Sequence, residues 1–362
     1  MKRRAFLGVA LATAAWRAGA AAAPNSEGDF DALARAIEEG YAYFDAESRA
    51  RWRKARRRLR RAGALQALID TLRDDHVTLT GTTVPAARRI PYDLDIWPRW
   101  VQSRVAIEAV RTYSDADVAG LHAGMTIVRV QNVAIERAMR ERLQGESASV
   151  PDMEWALRRV LAGPRAGVQR MEVRDGAKIA AIDVERNAPA PSTVPPVLGR
   201  RMGEERDIGY LRIRLGAADP EMAAHFDGAL GHMSGTRALI LDVRETVGPS
   251  PEDLTQAILA RATRPDARKP LLVLVDRWTA GEGEQLARGI AAAAQARIVG
   301  TETAGLRGEL RRVTLPSGIV ASFPATRADA PVRPHVPVDL AAPSGGPGDP
   351  ILYQALKLLE RR

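Results

Sequence analysis

The sequence predicts a mixed α/β protein with a helical N-terminal region, a β-rich middle and a largely parallel α/β domain after it. Three observations carry this. Apolar residues recur at three- and four-residue spacing between residues 29 and 80. Short, fully apolar runs alternate with helical patterns between residues 208 and 300, the signature of a parallel sheet covered on both faces. The chain has 362 residues and 46% apolar content, enough for more than one core. It has no cysteine, so neither disulfides nor thiolate chemistry is available.

In chain order, Lys2, Arg3 and Arg4 precede an apolar run from Ala5 to Ala15, and the alanines at 20–23 offer small-residue cleavage sites. Residues 1–23 are therefore expected to be a secretory signal of twin-arginine type, and the protein to be periplasmic or extracellular. The net charge is +9, and this leader would remove Lys2, Arg3, Arg4 and Arg17. Residues 28–80 read as helices, with Phe30, Leu33, Ile37, Tyr41 and Phe44 on one face. A basic cluster, Arg49 to Arg61, reads as a solvated helix face able to meet an anionic envelope surface. No aromatic platform accompanies it, so no nucleic-acid partner is expected.

Residues 90–186 change character, beginning with the alternating strand Val105–Val110. Residues 187–206, with Pro189, Pro191, Pro195 and Pro196, read as a semi-rigid linker. The second α/β pattern occupies 207–342, with strands at 208–213, 238–244 and 271–275 and helices at 221–233 and from 282. Residues 343–362 form a C-terminal tail or helix.

The stretch 270–290 organises the rest. Leu271–Val275 is a continuous apolar run, and Asp276 to Gly281 break it with a polar turn before a helix begins at Glu282. Such a turn pushes one side chain out of the sheet, while the helix N-terminus favours developing negative charge.

Val275-Asp276-Arg277-Trp278-Thr279-Ala280-Gly281-Glu282-Gly283-Glu284 resembles V-D-R-W-T-A-S-x-G-E, a segment of the tricorn-like branch of the tail-specific (C-terminal processing) serine peptidase family. Asp74-Asp75-His76-Val77 resembles that branch's D-G-H-T. Val299-Gly300-Thr301-Glu302-Thr303-Ala304-Gly305-Leu306-Arg307-Gly308 resembles V-G-x-x-T-A-G-L-x-G. Ala119-Gly120-Leu121 through Val130 is similar to the PDZ signature, although no Gly-Leu-Gly-Phe-like carboxylate loop occurs near 92–104. The resemblance implies a PDZ-like module and a crotonase-like layered α/β peptidase domain.

It further implies roles by position. His76 is the general base. Residue 281 is the nucleophile position, and it is glycine. Gly248 and Glu282 supply oxyanion amides. The acidic partner falls at Thr326, which has no carboxylate. Pro249 replaces an oxyanion glycine and has no N–H to donate. Glu245 stands where the family has Asn. Thr279 lies two residues early for a substitute nucleophile, and Ser250 sits on another loop. His76, His122, His225, His232 and His335 show no metal-ligand spacing, so no metal and no cofactor are expected. Two classes of function follow. One is a protein that binds peptides or unfolded segments without cutting them. The other is an active serine peptidase that cleaves unstructured or C-terminal segments.

Overall fold

The computed structural model describes residues 27–81, 90–163, 166–186, 195–214, 221–246, 252–264, 269–305, 309–327, 331–342 and 348–360. The leader read in residues 1–23 lies outside them, as do Gly248, Pro249 and Ser250.

The chain opens with three helices, α1 (Glu27–Gly40), α2 (Ala46–Leu59) and α3 (Leu65–Asp70). Asp45 starts α2 with a reciprocal cap: its carboxylate accepts the Ser48 amide at 2.7 Å, and Ser48 Oγ accepts the Asp45 amide at 3.0 Å. Phe30, Leu33, Ile37, Trp52 and Leu68 are fully buried. Tyr41 and Phe44 fall beyond α1, so the expected helical face ends at Ile37.

A short strand, β1 (Thr78–Thr80), leads into the PDZ-like module. This comprises β2 (Ile96–Val101), β3 (Arg104–Val110), α4 (Asp115–Val118), β4 (Thr126–Val130), β5 (Val133–Ala134), α5 (Ile135–Arg142), α6 (Val150–Ala162), β6 (Gly167–Asp175) and β7 (Lys178–Arg186). Its sheet runs β2-β3-β4-β6-β7, with β5 paired to β4.

The α/β domain follows as β8 (Val197–Met202), β9 (Ile208–Ile213), α7 (Met222–His232), β10 (Ala238–Asp242), α8 (Glu252–Ala262), β11 (Leu271–Val275), α9 (Glu282–Ala294), β12 (Arg297–Gly300), β13 (Leu310–Thr314), β14 (Val320–Pro324), β15 (Val336–Pro337) and α10 (Pro350–Glu360). Its main sheet has the order β15-β12-β11-β10-β9-β8. All neighbours are parallel except β8 and β9. Every residue of β10 and β11 is buried, as central parallel strands require.

Two arrangements differ from the sequence reading. Residues 197–202, placed in the linker, are the edge strand β8; they are mostly exposed, so they carry no apolar pattern to betray a strand. And β13 and β14 leave the main sheet. They pair with β1 in a separate three-stranded sheet, order β1-β14-β13, so Leu315, Ala321 and Phe323 share one core with α1–α3.

Candidate active site

The parallel pairing of β10, β11 and β12 places the turns at their carboxyl ends side by side: 243–246, 276–281 and 301–305. In open α/β sheets this is where ligands bind. Asp276 ties the turns together. Its Oδ1 accepts the Glu245 amide at 3.1 Å, the Trp278 amide at 3.0 Å and the Thr279 hydroxyl at 3.0 Å. Burial, then the Glu245 charge, push its carboxyl up to about 6.

Gly281 follows at φ 53°, ψ −116°, a conformation that costs any residue with a Cβ. Sharp, strained turns of this kind present a nucleophile above a sheet; here the turn is present and the side chain is not. Gly283 is needed for a different reason: a Cβ there would lie 2.8 Å from the Thr246 carbonyl oxygen.

Glu284 is fully buried one turn into α9. It accepts the Gly281 amide at 3.1 Å and the Gly305 amide at 2.9 Å, and it also accepts from the Thr303 hydroxyl. Thr303 Oγ1 in turn accepts the Val332 amide at 2.8 Å. This carboxylate locks the third turn against the start of α9.

His76 arrives from the opposite side of the sequence, held where α3 gives way to β1, which pairs with β14. Its Nδ1 meets Asp74 Oδ1 at 2.5 Å, and its amide donates to the same oxygen at 2.8 Å. The Tyr41 hydroxyl donates to Asp74 Oδ2 at 2.7 Å, and the Tyr43 ring stacks on the imidazole at 5.8 Å. With Nδ1 committed to the carboxylate, Nε2 is the atom left for chemistry. It is buried and has no hydrogen-bond partner among the described residues. Burial alone would lower the His76 pKa; the Asp74 hydrogen bond and charge, then Asp75 and Glu284, outweigh it and hold the ring above its ordinary value. Burial would likewise raise Asp74, and the His76 hydrogen bond and charge bring it below the usual carboxylate range. Glu284 thus joins the two halves of the site: it bonds the amide of residue 281, and its charge acts on His76.

Of the residues singled out from sequence, Gly281 ends the second turn and Glu282 opens α9, His76 lies within reach of the Glu284 charge, and Gly248 lies outside the described residues. Thr326 does not orient the base. It is exposed, and its hydroxyl accepts the Glu309 amide at 3.1 Å; the place at Nδ1 belongs to Asp74. Sequence reasoning passed over Asp74, though the signal was available, since an aspartate readily bonds the backbone two residues on. Thr279 is no substitute nucleophile. It is fully buried, accepts the Asp276 amide at 3.0 Å and lies 3.2 Å from the Val243 carbonyl. The Glu245 carboxylate is met by Arg212 at 3.1 Å and Arg214 at 3.6 Å, which offset its charge.

Arg277 and Trp278, neighbours of the site turn, act elsewhere. Trp278 Nε1 donates to the Leu94 carbonyl at 2.6 Å, and its ring packs edge-on to Trp97 at 6.2 Å. Arg277 pairs with Glu108 of β3 at 2.5 Å. The turn is therefore docked to the PDZ-like module. That module's β2 edge is closed to strand addition. Pro98 has no amide there, the ladder shifts register at Trp97/Pro98, and Glu154 of α6 accepts the Trp100 amide at 3.3 Å.

Chemically, the site offers an oriented base and the N-terminus of a helix, which can polarise a carbonyl. Residue 281 has no atom that could form an acyl-enzyme. Among the described residues no group of three or more His, Asp or Glu could hold a metal, and no helix is long and apolar enough to cross a membrane.

No protein-family model matches the chain, and no curated protein matches it by sequence. Solved structures do match. A photosystem II D1 C-terminal processing protease aligns at 20% identity with a TM-score of 0.55, covering 87% of this chain and 94% of its own. Mature CPAF in complex with lactacystin aligns at 14% identity with a TM-score of 0.53, covering 93% of this chain and 97% of its own. The chain therefore has the fold of tail-specific, C-terminal processing peptidases, with a PDZ-like module.

Proposed function

We propose that this protein is a homologue of the tail-specific serine peptidases that holds extended or unfolded polypeptide segments without hydrolysing them. The observation that carries the reading is Gly281: a side chain is missing from a turn otherwise built to present one, beside an intact His76–Asp74 pair. A covalent peptidase needs nucleophile, base and oxyanion donors together, and binding needs only the last of these and the surface around them. The peptide's place is at the turns ending β10–β12, because the β2 edge of the PDZ-like module is already capped. The pattern of residues 1–23 supports export to the periplasm or beyond, which N-terminal sequencing of the protein recovered outside the cytoplasm would test.

The deciding experiment follows an unfolded protein substrate with the native chain and with Gly281→Ser, alongside fluorescence anisotropy with a panel of unstructured peptides. The expected outcome is no cleavage by the native chain and saturable peptide binding. Cleavage by the native chain would restore the active-peptidase reading and place the nucleophile elsewhere. A native chain that binds no peptide would end the binding reading.

A further inference from the structure

The helical region carries a charged surface that the site does not use. A groove of about 650 Å³ runs between α1 and α2, with Arg35, Arg49, Arg53 and Arg57 on its walls and Trp52 among its lining residues. Arg49, Arg53 and Arg57 recur every four residues and so share one face of α2; at 1.5 Å per residue they span about 12 Å. All four arginines are exposed.

The acids nearby are already engaged. Glu38 binds Arg56 at 2.7 Å and Asp31 binds Arg60 at 2.8 Å. Glu47 pairs with Arg51, and Glu39 faces Arg311. Among the described residues Arg35, Arg49, Arg53 and Arg57 form no salt bridge, so four positive charges face solvent together. The aromatic groups of the face are covered. Trp52 is fully buried with Nε1 bonded to Glu38, and the Arg49 guanidinium lies over the Phe44 ring at 4.5 Å. A surface that binds single-stranded nucleic acid stacks bases on exposed rings, and this face presents none. Its chemistry suits a sheet of phosphates that asks only for charge.

We infer that the α1–α2 face docks the protein on an anionic phospholipid surface. The inference is independent of whether the active site cuts, binds or does neither.

The test is co-sedimentation of the chain from residue 24 onward, freed of the basic and apolar leader read in residues 1–23, with vesicles of phosphatidylcholine alone and with about one third phosphatidylglycerol; the ratio of the two isolates charge from any apolar contribution. Near an anionic membrane each arginine contributes roughly a five-fold factor in partitioning, so Arg35→Ala, Arg53→Ala and Arg57→Ala together should lower binding to the anionic vesicles by about 100-fold. Raising the salt should abolish binding by the native chain. A control that removes the same charge elsewhere, Arg104→Ala, Arg140→Ala and Arg174→Ala on the PDZ-like module, should leave binding nearly intact. The inference is overturned if both vesicle types bind equally, if the control loses as much as the α1–α2 variant, or if that variant binds as well as the native chain. It is also overturned if a single-stranded oligonucleotide binds through the same arginines more tightly than the vesicles do.

Discussion

At φ 53° and ψ −116°, residue 281 occupies backbone space in which a Cβ is strained by about 1–3 kcal/mol. Gly281→Ser should therefore lower the unfolding free energy by about that amount, which a urea titration would measure. The same substitution supplies the hydroxyl that the turn lacks, and the His76 base is already oriented by Asp74. If the variant cleaves an unfolded substrate, the rate should need neutral His76. The His76 pKa is raised above its ordinary 6.5, so the acid limb of the rate profile should lie above pH 6.5. Asp74→Asn in the same background should move that limb down, since it removes the partner that favours the imidazolium. In stability terms the sign is the same. The His76–Asp74 contribution is fully present between the ordinary Asp value of 3.8 and the ordinary His value of 6.5; it is lost as pH rises through the raised His76 value and as pH falls through the lowered Asp74 value. Asp74 was legible in the sequence by its place two residues before His76. The fold adds the reason its neighbour does not compete, since Asp75 is committed to Arg158 at 2.7 Å and Arg159 at 3.2 Å.

At the scale of the element, the turn between β11 and α9 depends on Asp276 as an acceptor and tolerates its charge poorly. Its folded value of about 6 stands above the ordinary 3.8. The stability this group contributes is fully present below pH 3.8 and is lost as pH rises through about 6. Asn keeps the acceptor oxygen and removes the charge. Native protein should therefore lose stability relative to Asp276→Asn between pH 4 and 7, read as the difference in urea midpoints across that range; an unchanged difference would contradict the placement of the charge. The next element boundary is set by close approach. Gly283→Ala would drive a Cβ to 2.8 Å from the Thr246 carbonyl oxygen, a backbone atom that cannot swing away. The expected destabilisation is about 1–3 kcal/mol, again measurable by denaturant unfolding. The apolar run of β11 and the start of α9 were plain in the sequence because burial and periodicity are local. The strand β8 was not, because an exposed edge strand owes its existence to the β9 ladder rather than to its own side chains.

At the scale of the molecule, the three sequence regions are fastened to one another by groups that look functional when read alone. Trp278 reaches Leu94 and Trp97, Arg277 reaches Glu108, and Asp75 holds Arg158 and Arg159 of α6. Arg244, in the turn after β10, bonds Asp242 and both oxygens of Asp349, tying the base of α10 to the central sheet. Trp278 is 2% exposed, and Trp278→Ala should cost about 3–5 kcal/mol. Hydrogen exchange should locate the loss. Amides of β2 and β3 are expected to exchange faster, while those of β10 and β11 change little. Uniform acceleration would show instead that Trp278 serves the general core and not the junction.

The sequence by itself determined the class of the fold, the strand–turn–helix at 271–290 and the absence of a hydroxyl at residue 281. Each of these is written in neighbouring residues, as an apolar run, a helical period or a side chain that is not there. Only the tertiary structure decided that Asp75 is taken up by Arg158 and Arg159 of α6, that Glu284 links the base to residue 281, and that Arg277 and Trp278 dock the PDZ-like module. It also decided that β1 pairs with a strand more than two hundred residues away. These are contacts between segments distant along the chain. No local pattern encodes them, because the partner of a carboxylate or an indole is set by how the sheets and helices close around a shared core.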